Sequence, residues 1–430
     1  MNMRSSTNYR KRFRLRRAGY LYVAVLFTSL AVSTMGLVAL SVASLRTRIT
    51  LDANDYTSAQ ILAKSGIEQA IQAVRSDNTW RTRFKNNVES SSTVLGQGSF
   101  TWKLVDSDNN LNDDDSDSVR LVGIGRVGRT TVAESVRMLA TGQPLACLGS
   151  SLHCGGDIVV KSAVQFMTDQ QISSGGNISA SGFLSSIQGG VEAAGTATGT
   201  IQGNIVQNAA VRRMPGSSAF DYYLDNGTSI PIEALPAVNG IRTCEKQLLS
   251  PQVNPFGDRN SEGIYLIHCG GQRVCIKNSR IVGTLILIEP ASNSSVEGSL
   301  RWDAAVANYP ALLVMGDLEI KTSSLVLSET VLTVNFNPSS TPYQGKSDSD
   351  LLDSYPSEIN GLVFISGQFK ATQDFVESVF RGVTVCQTID ASSSSRFNYR
   401  NLIFDRPPPG FASGNPMVVS PGSRRREALP

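Results

Sequence analysis

The strongest pattern along the chain is a passage from charge to hydrocarbon and then to an amphipathic repeat. Between Ala18 and Leu45 there are 28 consecutive residues without a charge. A secretory apolar core runs to about 7–15 residues, whereas a membrane-crossing helix needs about 20. The segment is therefore expected to be a retained span, Tyr20 to Leu45, and not a discarded signal. From Ile49 to Val74 the pattern changes. Apolar or small residues recur at Ala53, Tyr56, Ala59, Ala63, Ile67, Ala70 and Val74, the three-and-four spacing of an amphipathic helix. No Gly or Pro cluster separates the two stretches, so they predict one helix of roughly 55 residues. Beyond it, Gly98–Asp106, Ser118–Val127 and Thr130–Ala140 carry partial alternation rich in Val, Leu and Thr, which predicts three strands of a small antiparallel sheet packed on that helix.

The pattern changes again near Cys147. Residues 155–206 contain ten glycines among many small residues, and stretches such as GGDIVVKSAVQF and GGNISASGF read as short strands broken by glycine turns. Residues 211–260 interrupt this with Pro, Gly and aromatics. GIYLIHCGG, RIVGTLILIE, ALLVMGDLEI and GLVFISGQFKA then resume it. Strands separated by Gly or Asn about every 18–25 residues suit the coils of a parallel β-helix better than a sandwich. The fold class expected is thus α+β and then all-β: a long N-terminal transmembrane helix, a small antiparallel sheet and a C-terminal parallel β-solenoid. The expected divisions are a basic leader over 1–19, the span over 20–45 and the helix-plus-sheet unit over 46–144. A β-helix over 145–412, with its interruption at about 211–260, and a disordered tail over 413–430 complete the chain.

Charge sets the orientation. Seven Lys or Arg and no acid precede the span, so the positive-inside rule keeps the N-terminus in the cytoplasm and places the remainder outside the cytoplasmic membrane. A net charge of +3 over 430 residues, most of its excess in the leader, gives no basis for nucleic-acid binding.

Candidate chemistry is sparse. The two histidines stand in a duplicated setting, LHCGG at Leu152–Gly156 and IHCGG at Ile267–Gly271. Adjacent His and Cys on a strand point to opposite faces, which argues against a zinc site or a Cys–His nucleophile at His153, Cys154, His268 and Cys269. Cys is expected to face the core or a disulfide, and His the solvent. Cys269 with Cys275 and Cys147 with Cys154 are spaced for local disulfides, with Cys154 to Cys269 as the alternative. Asp157, Asp317 and Glu319 are carboxylates without a recognisable catalytic constellation. The turn from Asp106 to Asp117 has Asp106, Asp108 and Asn110 at the first, third and fifth positions of a calcium loop, but Leu111 where Gly is required and Asp117 where Glu is usual. It is expected to be a solvated acidic turn. No catalytic residue, metal or cofactor is expected.

The N-terminal region resembles a known family. A basic leader ending in Gly19, an apolar helix, and the run Asn54-Asp55 … Ala59-Gln60 … Ala63-Lys64-Ser65-Gly66-Ile67-Glu68-Gln69-Ala70 are similar to the N-termini of PilX-type and K-type minor pilins of type IV pili and type II secretion. The resemblance covers about the first 80 residues. It implies cleavage by a prepilin peptidase between Gly19 and Tyr20. Two departures matter: Tyr20 replaces the usual Phe or Met, and Ala24 stands where most pilins carry an acid, an absence shared with K-type tip subunits. The C-terminal half, with GLVFISGQF and PPPGF, resembles uncharacterised planctomycete-type envelope proteins that pair a PilX-like N-terminus with such strands. The resemblance implies a non-enzymatic minor or tip component, or an accessory, of a pilus or secretion assembly. It would be anchored in the cytoplasmic membrane, displaying the solenoid outside, with pilus or pseudopilus subunits as partners. The alternative is an anchored β-helix that binds or cleaves envelope polysaccharide.

Overall fold

The computed structural model describes residues 18–372 and 377–428; the basic run of the leader lies outside the described residues. Helix α1 runs without a break over Ala18–Ser76, 59 residues. Its hydroxyls do not compete with the helix. Thr28, Ser29 and Thr34 donate to the carbonyls of Val25, Leu26 and Ala31 at 2.9–3.0 Å, the back-bonding that satisfies such groups away from water.

The lower half of α1 lies on an antiparallel sheet of β1 (Thr93–Leu95), β2 (Gly98–Val105), β3 (Val119–Val127) and β4 (Thr130–Ala140). Strand β1 has no signal in the alternation, since it is only three residues long. Ala59, Leu62, Ala63, Ile67, Ala70, Ile71 and Val74 form the buried row of α1. They meet Phe100, Trp102, Leu104, Leu121, Val132 and Val136 of the sheet. The helix sits unusually close. A Cβ on Gly123 would lie 2.1 Å from the Ala63 carbonyl oxygen, and one on Gly125 2.0 Å from that of Ala59. VGIG in β3 is therefore the seat of the helix.

The expected disordered tail is corrected. Met417–Val419 and Arg425–Glu427 both pair antiparallel with β4, because the outer edge of β4 offers free backbone groups and Met417 fills the core beneath it.

The second unit consists of parallel strands stacked in three ladders. In the first, the order is Thr228–Ser229, Ile264–His268, Thr284–Ile288, Pro310–Met315, Glu358–Ala371, Ser378–Ala391, Leu152–Cys154, Ile172–Ser174, Val191–Ala193 and Ile205–Val206. The chain therefore enters in the middle at Leu152 and steps outward to Val206. It crosses to the far end and steps back to close against its own entry strand, Thr384 opposite Leu152. The interruption is shorter than the expected 211–260: ladder pairing resumes at Thr228 and again at Ile241–Glu245.

The first ladder is apolar on both faces. Inward residues such as Leu285, Leu287, Leu312 and Val314 fill the core between the ladders. Outward residues Leu266, Ile286, Leu313, Phe364 and Val385 pack on Phe220, Tyr223, Leu148, Ile403 and Phe411. This explains the continuous runs TLILI and ALLVM, the signature of strands buried on both faces. Leu139 of β4 joins the same outer core and ties the two units together.

Candidate functional site: an exposed helix and the seam beneath it

Among the described residues, none packs around the upper half of α1. From Tyr20, 86% exposed, to Leu51, 56% exposed, nearly every side chain is open, including Leu21, Val25, Phe27, Leu30, Leu37 and Leu40. It is long and apolar enough to cross a membrane. Gly19 lies in the first turn of α1 and Tyr20 beside it. Ala24 is exposed on the same helix.

Below the helix, the sheet meets the ladder unit along a charged seam. Arg137 of β4 pairs with Asp221 and, at 3.2 Å, with Asp225. Arg425 reaches Asp225 at 2.8 Å. Arg213 pairs with Asp114 at 2.9 Å and with Asp115. The turn between β2 and β3 thus supplies one side of the joint; it is solvated as expected along Ser107–Asn110 and at Asn112, Asp113 and Asp115, but not at its two ends. Asp106 is 2% exposed and Asp117 is half-buried; these ends depart from the solvated reading because Leu111, 4% exposed, packs into the core with Trp80 and Trp102. Burial, then Asp108, pushes the Asp106 carboxyl up. Burial, then Asp114 and Asp106, pushes Asp117 up to about 6.

The cysteines are all free thiols and all buried. None of the expected pairs is bonded. The structure instead sets Cys154 opposite Cys386 on neighbouring parallel strands. No local pattern signals this pairing, since the two strands meet only when the ladder closes on its entry strand. Burial pushes Cys147 and Cys244 up to about 12 and Cys269 up to about 11, so these are inert packing residues. His268 is exposed as expected, but His153 is fully buried. The Arg212 backbone lies beside the ring, and His153 Nδ1 shares a 2.7 Å hydrogen bond with Ser173 Oγ. Burial, with Arg212 second, lowers its pKa to about 4, so the ring is neutral at pH 7.

Asp157, Asp317 and Glu319 are not brought together as an acid–base pair. Asp157 accepts from the Asn177 amide at 2.6 Å and Asp317 from that of Gln368 at 2.8 Å. Glu319 pairs with Lys321 at 2.9 Å. That last pair belongs to a row of alternating charge on the second ladder, Glu245, Lys277, Glu297 and Lys321 in register on successive strands. Opposite charges placed directly across strands stabilise the stack. A second network, missed in the sequence, joins Arg301 to Asp303 at 2.7 Å and to Glu358, which also holds Arg381.

No family model and no curated protein matches this chain. Among solved structures, the competence-associated pilin ComZ from Thermus thermophilus aligns over 87% of this chain and 98% of its own, at 10% identity and a TM-score of 0.33.

Proposed function

We propose that this chain is a membrane-anchored, pilin-like structural protein. In this reading it is a minor or tip component, or an accessory, of a type IV pilus or type II secretion-like assembly, and it has no enzymatic activity. The observation that carries the reading is the division of α1. One continuous helix has an apolar upper half with no intramolecular partner and a lower half seated on glycines of an antiparallel sheet. A generic anchor needs no such coupling. A subunit that must hold its folded domain at a fixed angle to a bundle of like helices does. The three parallel ladders are read as a β-solenoid displayed outside the cytoplasmic membrane. Because Ala24 supplies no acid to neutralise a neighbour's N-terminal amine, the subunit would cap or prime a filament; each shaft position would bury an amine without a partner.

The test is N-terminal sequencing of the membrane-bound protein from its native host. A mature chain beginning at Tyr20 with a methylated amine supports the reading, and Gly19→Ala should then abolish processing. A chain beginning before Gly19 reduces the protein to an ordinary anchor, and one beginning beyond Leu45 removes the membrane reading. In situ crosslinking should capture pilin-like subunits through α1.

One observation favours the second reading, an anchored polysaccharide-binding protein. A polar hollow of about 580 Å³ on the ladder unit is lined by Ser357, Glu358, Arg381, Arg396, Asn398 and Tyr399. Retention on immobilised envelope polysaccharide that Arg396→Ala abolishes would support it.

A further inference from the structure

The turn that closes the seam has an arrangement that neither the anchor nor the ladders require. Asp106 to Asp117 is twelve residues long, and its first, third and twelfth side chains converge. Ligand oxygens of Asp106, Asp108 and Asp117 all lie within 4.8 Å of one another. Two oxygens bound to one calcium ion at about 2.4 Å can be no more than about 4.8 Å apart. The spacing allows all three carboxylates to reach one ion.

An acidic cluster alone would mean little, but here one carboxylate is buried without a partner. Asp106 is 2% exposed, and neither of its carboxylate oxygens receives a hydrogen bond. Nearby cations do not serve it. Arg81 spends its guanidinium on two backbone carbonyls, those of Leu111 at 3.1 Å and Asp117 at 2.6 Å. Arg213 is held by Asp114 and Asp115. Asp108 accepts only from the Asn110 amide, and Asp117 from Ser218 across the seam at 3.2 Å. Each keeps oxygen lone pairs free.

The objection from the sequence, Leu111 in place of a turn-forming Gly, is met by the backbone. The left-handed residue of the turn is Asn109, at φ 72°, a conformation Asn tolerates. Leu111 is then free to anchor the turn in the core.

We propose that Asp106, Asp108 and Asp117 hold a calcium ion, with backbone carbonyls or water completing the shell, and that the ion fastens the β2–β3 turn to the ladder unit. The donor set is oxygen only and sits in an irregular turn. This suits calcium, which accepts variable geometry. It suits magnesium poorly, since magnesium demands a near-octahedral shell, and it offers zinc no nitrogen or sulfur. Ser218 and Arg213 belong to the crossing segment of the ladder unit, so binding sets how firmly that unit stands on the helix-bearing sheet.

The experiment uses the full chain in detergent, stripped with EDTA and titrated with calcium chloride. Terbium luminescence sensitised by Trp80, whose ring lies 4.5 Å from the Arg81 guanidinium carbon, gives a second readout. One equivalent should bind, with a dissociation constant of roughly 10⁻⁴–10⁻³ M, the range of extracellular calcium modules, and with clear preference over magnesium. Asp106→Asn and the exposed Asp108→Asn should each weaken binding at least about ten-fold and lose the terbium signal. Asp113→Asn, on the same turn with its side chain outside the cluster, should bind as the wild type. Asp108→Asn keeps the test meaningful if Asp106→Asn fails to fold. Absence of binding at roughly 10 mM calcium, ten times the top of that range, would overturn the proposal. So would equal affinity for magnesium, or wild-type binding by Asp108→Asn.

Discussion

Replacing Gly125 by Ala should undock the helix from the sheet. The added Cβ would stand 2.0 Å from the Ala59 carbonyl oxygen, 2.6 Å from the Ala63 nitrogen and 2.9 Å from Leu62 Cβ. Two of these are backbone atoms of a helix, so no rotamer change relieves them. Reaching ordinary contact near 3.4 Å requires α1 to rise by about 1.4 Å. A gap of only about 1 Å already forfeits up to half of the dispersion energy of the atoms facing it. The row from Ala59 to Val74 would lose that together. Gly125 is not in the left-handed region, so the cost is steric and not conformational. Overpacking costs about 1–3 kcal/mol where neighbours can adjust; here they cannot, and about 3 kcal/mol or more is expected. Trp102 reports the event, because its indole donates to Gln69 of α1 at 3.2 Å. Urea titration of the full chain in detergent, followed by Trp102 near-ultraviolet dichroism, gives the measurement. Gly36→Ala is the control: nothing lies within 4 Å of its added carbon. A Gly125→Ala midpoint within about 0.5 kcal/mol of the wild type would refute the glycine seat.

Further expectations rest on other parts of the molecule. Arg301→Ala leaves Glu358, 7% exposed, without its main buried partner, and should cost about 3–5 kcal/mol in thermal unfolding; Arg301→Lys should recover only part of it, since Lys cannot fork between Asp303 and Glu358. In calcium-free buffer Asp117, raised from 3.8 to about 6, makes the folded state bind more protons than the unfolded one between about pH 4 and 6. Its contribution to stability therefore falls as pH rises through that window, and the difference between wild type and Asp117→Asn in urea midpoints at the two ends isolates it. Calcium should reverse that sign, because a metal binds the deprotonated carboxylate. Iodoacetamide should label no thiol of the native protein purified under reducing conditions and all six cysteines once it is denatured, since every one is buried; rapid native labelling would count against the packed ladders.

What could be read in the sequence was what repeats locally. The span and the amphipathic row of α1, the alternation of β2 to β4, and the glycine-punctuated apolar runs are each patterns within one continuous stretch of chain. What could not be read depends on residues brought together from far apart. In the sequence Gly125 and Gly128 read as the brackets of a tight connection between β3 and β4, whereas the fold keeps Gly125 inside β3 and lays the helix on it and on Gly123. The tail after Ser413 is polar and rich in Gly, Pro and Arg; it is ordered only because β4 offers it an edge. Spacing and the repeated HCGG setting offer Cys154 the partners Cys147 and Cys269, whereas its neighbour in space is Cys386, on the strand where the ladder closes. Strand alternation points His153 to solvent, but the fold buries it against Ser173 and Arg212. At the Asp106–Asp117 turn the calcium-loop spacing is visible in the sequence and the burial of Asp106 is not, because that burial follows from Leu111 reaching the core.

The order of strands constrains how such a chain can assemble. The helix and β2 to β4 are contiguous, so α1 can find its seat early, with short loops to close. The ladder unit cannot be completed in sequence order. Its middle layer needs Leu152–Cys154 beside Ser378–Ala391, a pairing that closes more than two hundred residues and is slow for that reason. Until that layer forms, the chain cannot run back through the outer core of Ile403 and Phe411 to deliver Met417–Val419 and Arg425–Glu427 to β4. The outer edge of β4 therefore stays open until the ladders are finished. An open edge strand is a template for pairing with another chain. In this topology the last residues to arrive close that edge, so the sheet that carries the helix is sealed only when the unit it carries is complete.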